Sequence, residues 1–255
     1  MSPATVRRLI VLGVLVLWEA LPRLGLVPAL FLPPLSTTLA VAVTEWRAYG
    51  AALAVTLSQV AAALVFAVGG GILVGAIVGG LARARQLLLP VFSSLYAVPL
   101  VVLYPVFTAW FGIGPEAKVA FASVYGFFPT MLATAAGIQT IDPNLILTAR
   151  SMGATPAQRL FRVILPAAIP TVLAGLRLGG ALVIIGVVVA EMLISSAGIG
   201  YLITSSRTVL NSPNVFAGVL LVLAIAMGFD LAMRALERRA AIWRTASARG
   251  DATSA

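Results

Sequence analysis

Long apolar runs separated by short polar breaks dominate this chain. Six stretches approach the roughly 20 mostly apolar residues a helix needs to cross a bilayer. They lie near 7–22, 53–81, 87–111, 118–138, 171–194 and 215–234. The pattern predicts an all-α membrane protein with six transmembrane helices, a single membrane domain over 1–255 ending in a basic tail over 235–255. In the first stretch, Glu19, Pro22 and Arg23 interrupt an apolar run that begins at Leu9. Behind Arg7 and Arg8 this run has the outline of a signal peptide. Its end reads Trp18-Glu19-Ala20-Leu21-Pro22, with a bulky ring where the protease needs a small residue, so it is read as an uncleaved helix.

Two connections are long enough to fold. Residues 23–52 contain Phe31-Leu32-Pro33-Pro34 and then Ser36-Thr37-Thr38, an extended start followed by a helix cap. They predict an amphipathic helix at the membrane surface. Residues 139–170 predict two short helices with a hard break. Asp142 can cap free amides, Pro143 suits the first helical position, and the helix runs through Leu145, Ala149 and Met152 to a left-handed stop at Gly153. Thr155 and Pro156 repeat the start signal. The second helix carries Leu160, Phe161, Val163 and Ile164 and is expected to end before Leu165-Pro166, because proline disfavours helical geometry in the residue before it. A pair too short to span and apolar on one face needs a cover. Either the protein's own helix ends or a cytoplasmic partner could supply it.

Small and polar residues form further stripes. Gly71, Gly75 and Gly79 recur every four residues, and Gly175, Gly179 and Gly186 fall within about 40° of one another at 100° per residue. Either set allows close helix approach, within the chain or across a dimer seam. Ser93, Tyr104 and Thr108 share one face of the third span, and Ser123, Thr130 and Thr134 one face of the fourth. They line a water-filled path or hydrogen-bond between helices. Pro90, Pro99, Pro105 and Pro129 add kinks or breaks to these spans. Glu191 and Asp230 are the chief acids near the bilayer, both towards span ends. Glu191 reads either as an outer gate or as a carboxylate seated on the Gly198-Ile199-Gly200 turn.

Composition narrows the function. Only 10% of the 255 residues are charged and mean hydropathy is +1.07, against about 25% charged in soluble domains. With no His and no Cys, the chain cannot build a disulfide, a thiolate nucleophile, a Ser-His triad or an imidazole-ligated metal site. The single Lys, Lys118, precedes Val119, so the Gly-Lys-Ser/Thr of a phosphate-binding P-loop is absent and no cofactor is expected on this chain. No carboxylate stands at the middle of a span, which argues against a proton- or sodium-driven carrier.

The net charge of +9 is spread as isolated arginines between apolar runs, a topology signal rather than a nucleic-acid surface. One side of a six-span arrangement collects Arg7, Arg8, Arg83, Arg85, Arg150, Arg159, Arg162, Arg177, Arg234, Arg238, Arg239, Arg244 and Arg249. The other collects Arg23, Arg47, Lys118 and Arg207. The excess marks the cytoplasmic side, so both termini are expected there.

Residues 149–170, Ala-Arg-Ser-Met-Gly-Ala-Thr-Pro-Ala-Gln-Arg-Leu-Phe-Arg-Val-Ile-Leu-Pro-Ala-Ala-Ile-Pro, resemble the signature loop of binding-protein-dependent ABC importer permeases. That loop reads Glu-Ala-Ala, three residues, Gly, nine residues, Ile, one residue, Leu-Pro. Here Ala149, Gly153, Val163 and Leu165-Pro166 hold its positions, flanked by Arg150, Ala154, Leu160 and Phe161. The resemblance narrows to the nitrate, taurine and aliphatic sulfonate branch through Leu32-Pro33-Pro34, Thr56-Leu57, Pro90, Pro99, Pro105, Trp110-Phe111-Gly112-Ile113-Gly114, Lys118, Ala190-Glu191, Gly198-Ile199-Gly200, Gly228-Phe229-Asp230 and Trp243.

The resemblance implies a type I ABC importer permease fold in a bacterial inner membrane, with a cytoplasmic coupling loop between the fourth and fifth spans. It implies a second permease copy, an ATP-binding subunit that carries ATP and Mg and takes up the loop, and an extracytoplasmic binding protein that delivers a small anion. Importers of pyrimidine vitamin precursors are similar too. Leu147 and Thr148 replace the Glu and first Ala of the loop, so an ionic contact through that Glu is lost or passes to Asp142 or Arg150. Gln59 stands where relatives often carry Arg.

Overall fold

The computed structural model describes the backbone of residues 2–252 and the side-chain surroundings of 2–159 and 162–240. The surroundings of Leu160, Phe161, Trp243, Arg244 and Arg249 lie outside the described residues. The described chain is helical throughout, without strands: α1 Pro3–Arg23, α2 Leu35–Thr44, α3 Trp46–Gly80, α4 Ala82–Tyr96, α5 Tyr104–Phe111, α6 Pro115–Gln139, α7 Pro143–Ser151, α8 Pro156–Arg159, α9 Leu165–Leu193, α10 Ile199–Thr208 and α11 Ser212–Ala252. A 3-10 turn, Leu100–Leu103, precedes α5, and a π turn, Leu160–Ile164, precedes α9.

Among the described residues, four helices are long and apolar enough to cross a membrane: α3, α6, the run Pro156–Leu193 and α11 over Ser212–Ala240. The pair Ala82–Tyr96 and Leu100–Phe111, bent by 84°, adds a fifth if counted as one span. Six unbroken spans are therefore not what the helices show. The helix expected over 87–111 breaks at Ala97-Val98-Pro99, because Pro99 lacks an amide hydrogen and holds Val98 away from helical geometry. Pro105, by contrast, starts α5 without bending it. In α1, Arg7, Arg8 and Glu19 dilute the apolar run, although Leu9 to Leu17 remain exposed on all sides.

Two more expectations change. The segment after Thr155 does not stop before Leu165-Pro166 but passes through the π turn into α9. A wider turn leaves room for the ring of Pro166 and needs no amide from it. The Gly198-Ile199-Gly200 turn opens a further helix, α10, and the helix of the last span continues to Ala252.

The residues form two compact units, Met1–Ser58 with Val188–Ala224 and Gln59–Val187 with Ile225–Ala255. In the first, Glu19 explains why the opening apolar run carries an acid. Its carboxylate takes the Ser36 amide at 2.9 Å and the Ser36 hydroxyl at 2.7 Å, capping α2 from outside, while Arg23 pairs with it at 2.6 Å. Ser36 is thus a capped residue rather than the cap. Trp18 donates to the Pro33 carbonyl at 3.0 Å, and Tyr49 to the Asn214 carbonyl at 3.1 Å.

In the second unit α6 is the spine. A Cβ on Gly71 would stand 2.8 Å from Thr130 Cβ, on Gly75 2.6 Å from the Met131 carbonyl, and on Gly79 2.8 Å from the Ala135 carbonyl. On its other side Gly175 meets Ala133, and Gly179 meets Thr130 Oγ1 and the Gly126 carbonyl. Both glycine stripes therefore pack within the chain, α3 and α9 against α6. Val60, Ala63, Ala67, Ala122, Val183, Ile184 and Val187 fill the core between them. Aromatic edges hold the bent pair to the same spine: Phe92 packs on Phe127 and Phe128, and Tyr104 and Phe107 on Phe121.

Between α9 and α11, Arg177 reaches Asp230 at 2.5 Å and Glu237 at 3.6 Å, and Arg234 also holds Asp230. The pair borders a cavity of about 340 Å³ lined by Ala174, Leu178, Ala181 and Phe229. Both partners are about one-third exposed, so screening limits the pair to ~1 kcal/mol or less. Arg177→Gln is expected to lower the melting midpoint of the purified chain by no more than about 4 °C, readable by differential scanning.

Candidate functional site

The connection after α6 caps itself. Asp142 accepts from the Asn144 amide at 2.9 Å, starting α7 behind Pro143. Gly153 takes a φ of +76°, and the Ala154 amide donates to the Ala149 carbonyl at 3.0 Å. That backbone closes the helix in a region where glycine is free and a β-carbon is not. The Gln158 amide then donates to the Thr155 hydroxyl at 3.2 Å and the Thr155 amide to the Gln158 side-chain oxygen at 2.9 Å, the reciprocal cap that starts α8.

This loop is covered only in part. Ile146 and Ile164 pack back on Ile138, Ile141 and Ala168. Leu145, Leu147 and Met152 are exposed, Met152 by 82%. Packing on the protein's own helix ends thus covers Ile146 and leaves the apolar side chains on either flank of it uncovered. Arg150 and Pro166 are exposed, while Ala149, Ala154, Val163 and Leu165 are half-buried. Arg159 is half-buried, and its Nε is enclosed without a partner among the described residues.

The two polar stripes separate. Thr130 and Thr134 are fully buried, their hydroxyls spent on carbonyls one turn back in α6, Gly126 at 2.8 Å and Thr130 at 2.7 Å. Ser123, half-buried, does the same with Val119 at 2.6 Å. Tyr104 is 1% exposed, its ring centroid 5.0 Å from that of Phe121. Tyr104, Thr130 and Thr134 are thus buried within the chain itself rather than presented on its surface. Ser93 remains exposed on α4, and Thr108 is half-buried on α5.

At the end of α9, Glu191 is 1% exposed and sits in a constructed seat. Thr56 of α3 donates to its carboxylate at 2.9 and 3.0 Å, and the Gly200 amide donates at 2.9 Å. Thr56 in turn accepts the Ile199 amide at 2.9 Å. Gly198, at a φ of +100°, lies so close that a β-carbon there would collide with the carboxylate. Sequence reasoning found the acid and the turn. It did not find Thr56 as the hydroxyl between them, because only the fold brings positions 135 residues apart together. Gln59, one turn further along α3, is 4% exposed, and its Oε1 has no partner among the described residues.

Residues 67–242 match the family described as the inner membrane component of binding-protein-dependent transport systems. The chain is 33% identical over 240 residues to TauC, the taurine transport system permease protein of Escherichia coli (strain K12), covering 90% of this chain and 86% of TauC. It is 31% identical over 234 residues to SsuC of Bacillus subtilis (strain 168), a candidate aliphatic sulfonates transport permease, covering 91% and 84%. Among solved structures, the inward-facing MetNI methionine ABC transporter superposes with a TM-score of 0.66 at 18% identity, over 73% of this chain and 93% of that one.

Proposed function

The chain belongs to the family of inner membrane components of binding-protein-dependent transport systems, and on that premise we propose that it is the permease subunit of an ATP-driven importer of a small sulfonate-like anion. The observation that carries the reading is the self-capped loop over 142–159 with Leu145, Leu147 and Met152 uncovered. Apolar side chains left uncovered on a preformed scaffold suit a protein partner, here the subunit that binds and hydrolyses ATP. Ala149, Arg150, Gly153, Ala154, Leu160, Phe161, Val163, Leu165 and Pro166 are its proposed coupling residues.

A second copy of the chain completes the pathway. Ala97, Val98 and Pro99 are exposed where the helix breaks, and broken backbone at membrane depth is tolerated only against protein or water. Exposed Ser93 on α4 and half-buried Thr108 on α5 are the proposed lining, Glu191 lies at the outer mouth, and α1 serves as a further span with both termini cytoplasmic. TauC and SsuC support a sulfonate as cargo. A permease for formylaminopyrimidine, ThiX of Halalkalibacterium halodurans, is 27% identical over 91% of this chain, which keeps that vitamin precursor as the second cargo to assay.

Co-expression with candidate ATP-binding subunits and binding proteins from the same genome tests the reading. The expected result is a co-purifying complex with two copies of this chain and uptake that requires ATP. Transport by this chain alone, driven by an ion gradient, would overturn it.

A further inference from the structure

Glu191 stands at the wrong end of its own helix. It lies in the last turn of α9, where backbone carbonyls already make the terminus negative. The same carboxylate faces the start of α10, where free amides make a terminus positive and welcome an anion. Its placement is explained by α10 rather than by α9.

Two of the first amides of α10 are consumed in this seat, Gly200 by Glu191 directly and Ile199 by Thr56, whose own hydrogen goes on to the carboxylate. A β-carbon on Gly200 would stand 2.7 Å from Glu191 Cβ and would strike the Val188 carbonyl, so the approach leaves no slack. Further along, Thr204 donates to the Met192 carbonyl at 3.2 Å. Lifting α10 removes the Gly200 amide from a carboxylate that is 1% exposed and the Ile199 amide from a threonine that is fully buried. Water must follow, since dry polar groups stripped of partners are costly. An intermediate position, with bonds stretched and water excluded, satisfies neither requirement.

We infer that Glu191 and Thr56 are positioning residues that make α10 a two-state outer gate of the permease, seated and dry or lifted and wetted. This rests on the importer reading for the word outer, whereas the two states follow from the seat itself. Glutamine at 191 would turn one acceptor of the seat into a donor, and valine at 56 would keep the shape while deleting the hydroxyl that links amide to carboxylate.

Ser205→Cys gives a unique reporter, because the chain has no cysteine of its own and Ser205 is half-buried with its hydroxyl bonded to the Leu202 carbonyl within α10 itself. In vesicles holding the whole transporter, a membrane-impermeant maleimide is added from outside. Thr56→Val and Glu191→Gln are each expected to raise the labelling rate about tenfold or more, the factor implied by losing a hydrogen bond to a charged group. Thr56→Ser should label at the native rate, and ATP-driven uptake should fall in the two faster-labelling variants alone. Native labelling in both would overturn the gate. Should Glu191→Gln fail to reach the membrane, the Thr56 pair decides: equal labelling of valine and serine overturns the gate, and faster labelling of valine alone supports it. A native chain without ATP-driven uptake would sink the importer reading, and the labelling comparison would still decide whether the seat has two states.

Discussion

Gly126→Leu is expected to abolish the folded permease. The glycine lies at the middle of α6, where it meets both neighbours at once: a β-carbon there would collide with Val183 of α9 and stand 2.8 Å from the Gly179 carbonyl and 3.1 Å from Ala67 Cβ of α3. Side chains can rotate away from an intruder, but the Gly179 carbonyl moves only with its helix. Overpacking a well-filled core costs about 1 to 3 kcal/mol even where neighbours yield, and a four-carbon side chain pressed against backbone on one side and core on the other should exceed that. Chain recovered from membranes should aggregate on size exclusion in mild detergent, while Gly80→Leu, where nothing lies within 4 Å, should elute as the native protein does. A native profile and melting midpoint for Gly126→Leu would mean that α3 and α9 do not clasp α6.

A second substitution should spare the fold and stop the work. Gly153→Val places a β-branched residue at a φ of +76°, in open space with no atom within 4 Å. The cost is therefore backbone strain alone, about 1 to 2 kcal/mol, too little to unfold a membrane bundle. The strain is relieved by letting the backbone between α7 and α8 leave the left-handed region, which turns the two helices relative to each other and spoils the shared face. ATP-driven uptake is expected to fall tenfold or more, with the amount in the membrane and the copy number unchanged. Gly153→Asn, which tolerates that backbone, should retain most of the uptake. Native transport by Gly153→Val would make residues 149–166 ordinary packing.

The helices were legible where apolar length or capping chemistry speaks for itself. Asp142, Gly153 and Thr155 act locally, within four residues of their partners, and local chemistry survives translation into sequence pattern. Partners in space did not. The spacing of Gly71, Gly75 and Gly79 announces a close neighbour without saying that the neighbour is α6. The stripe of Thr130 and Thr134 reads equally well as a wet path, because a hydroxyl satisfied by the carbonyl one turn back leaves no trace in the pattern. Pro166 misled for a different reason: the rule that helices stop before proline assumes an α turn, and a π turn stands there instead. Glu19 looked like a flaw in the first apolar run until the Ser36 amide supplied its purpose.

The clasp around Thr130 also bears on how such a protein can vary by descent. A β-carbon on Gly71 would stand 2.8 Å from Thr130 Cβ, and one on Gly179 would strike its hydroxyl, so one side chain, together with the α6 carbonyls beside it, limits size at two positions on two other helices. A lineage cannot enlarge any of the three singly, and a mutational library that changes one codon at a time should find each position closed. Shrinking Thr130 relieves only part of the crowding, because the Phe127 carbonyl stays 3.1 Å from a β-carbon at 71 and the Gly126 carbonyl 2.7 Å from one at 179, so enlargement also needs the helices to move apart and the three positions are strongly non-additive although remote in the gene.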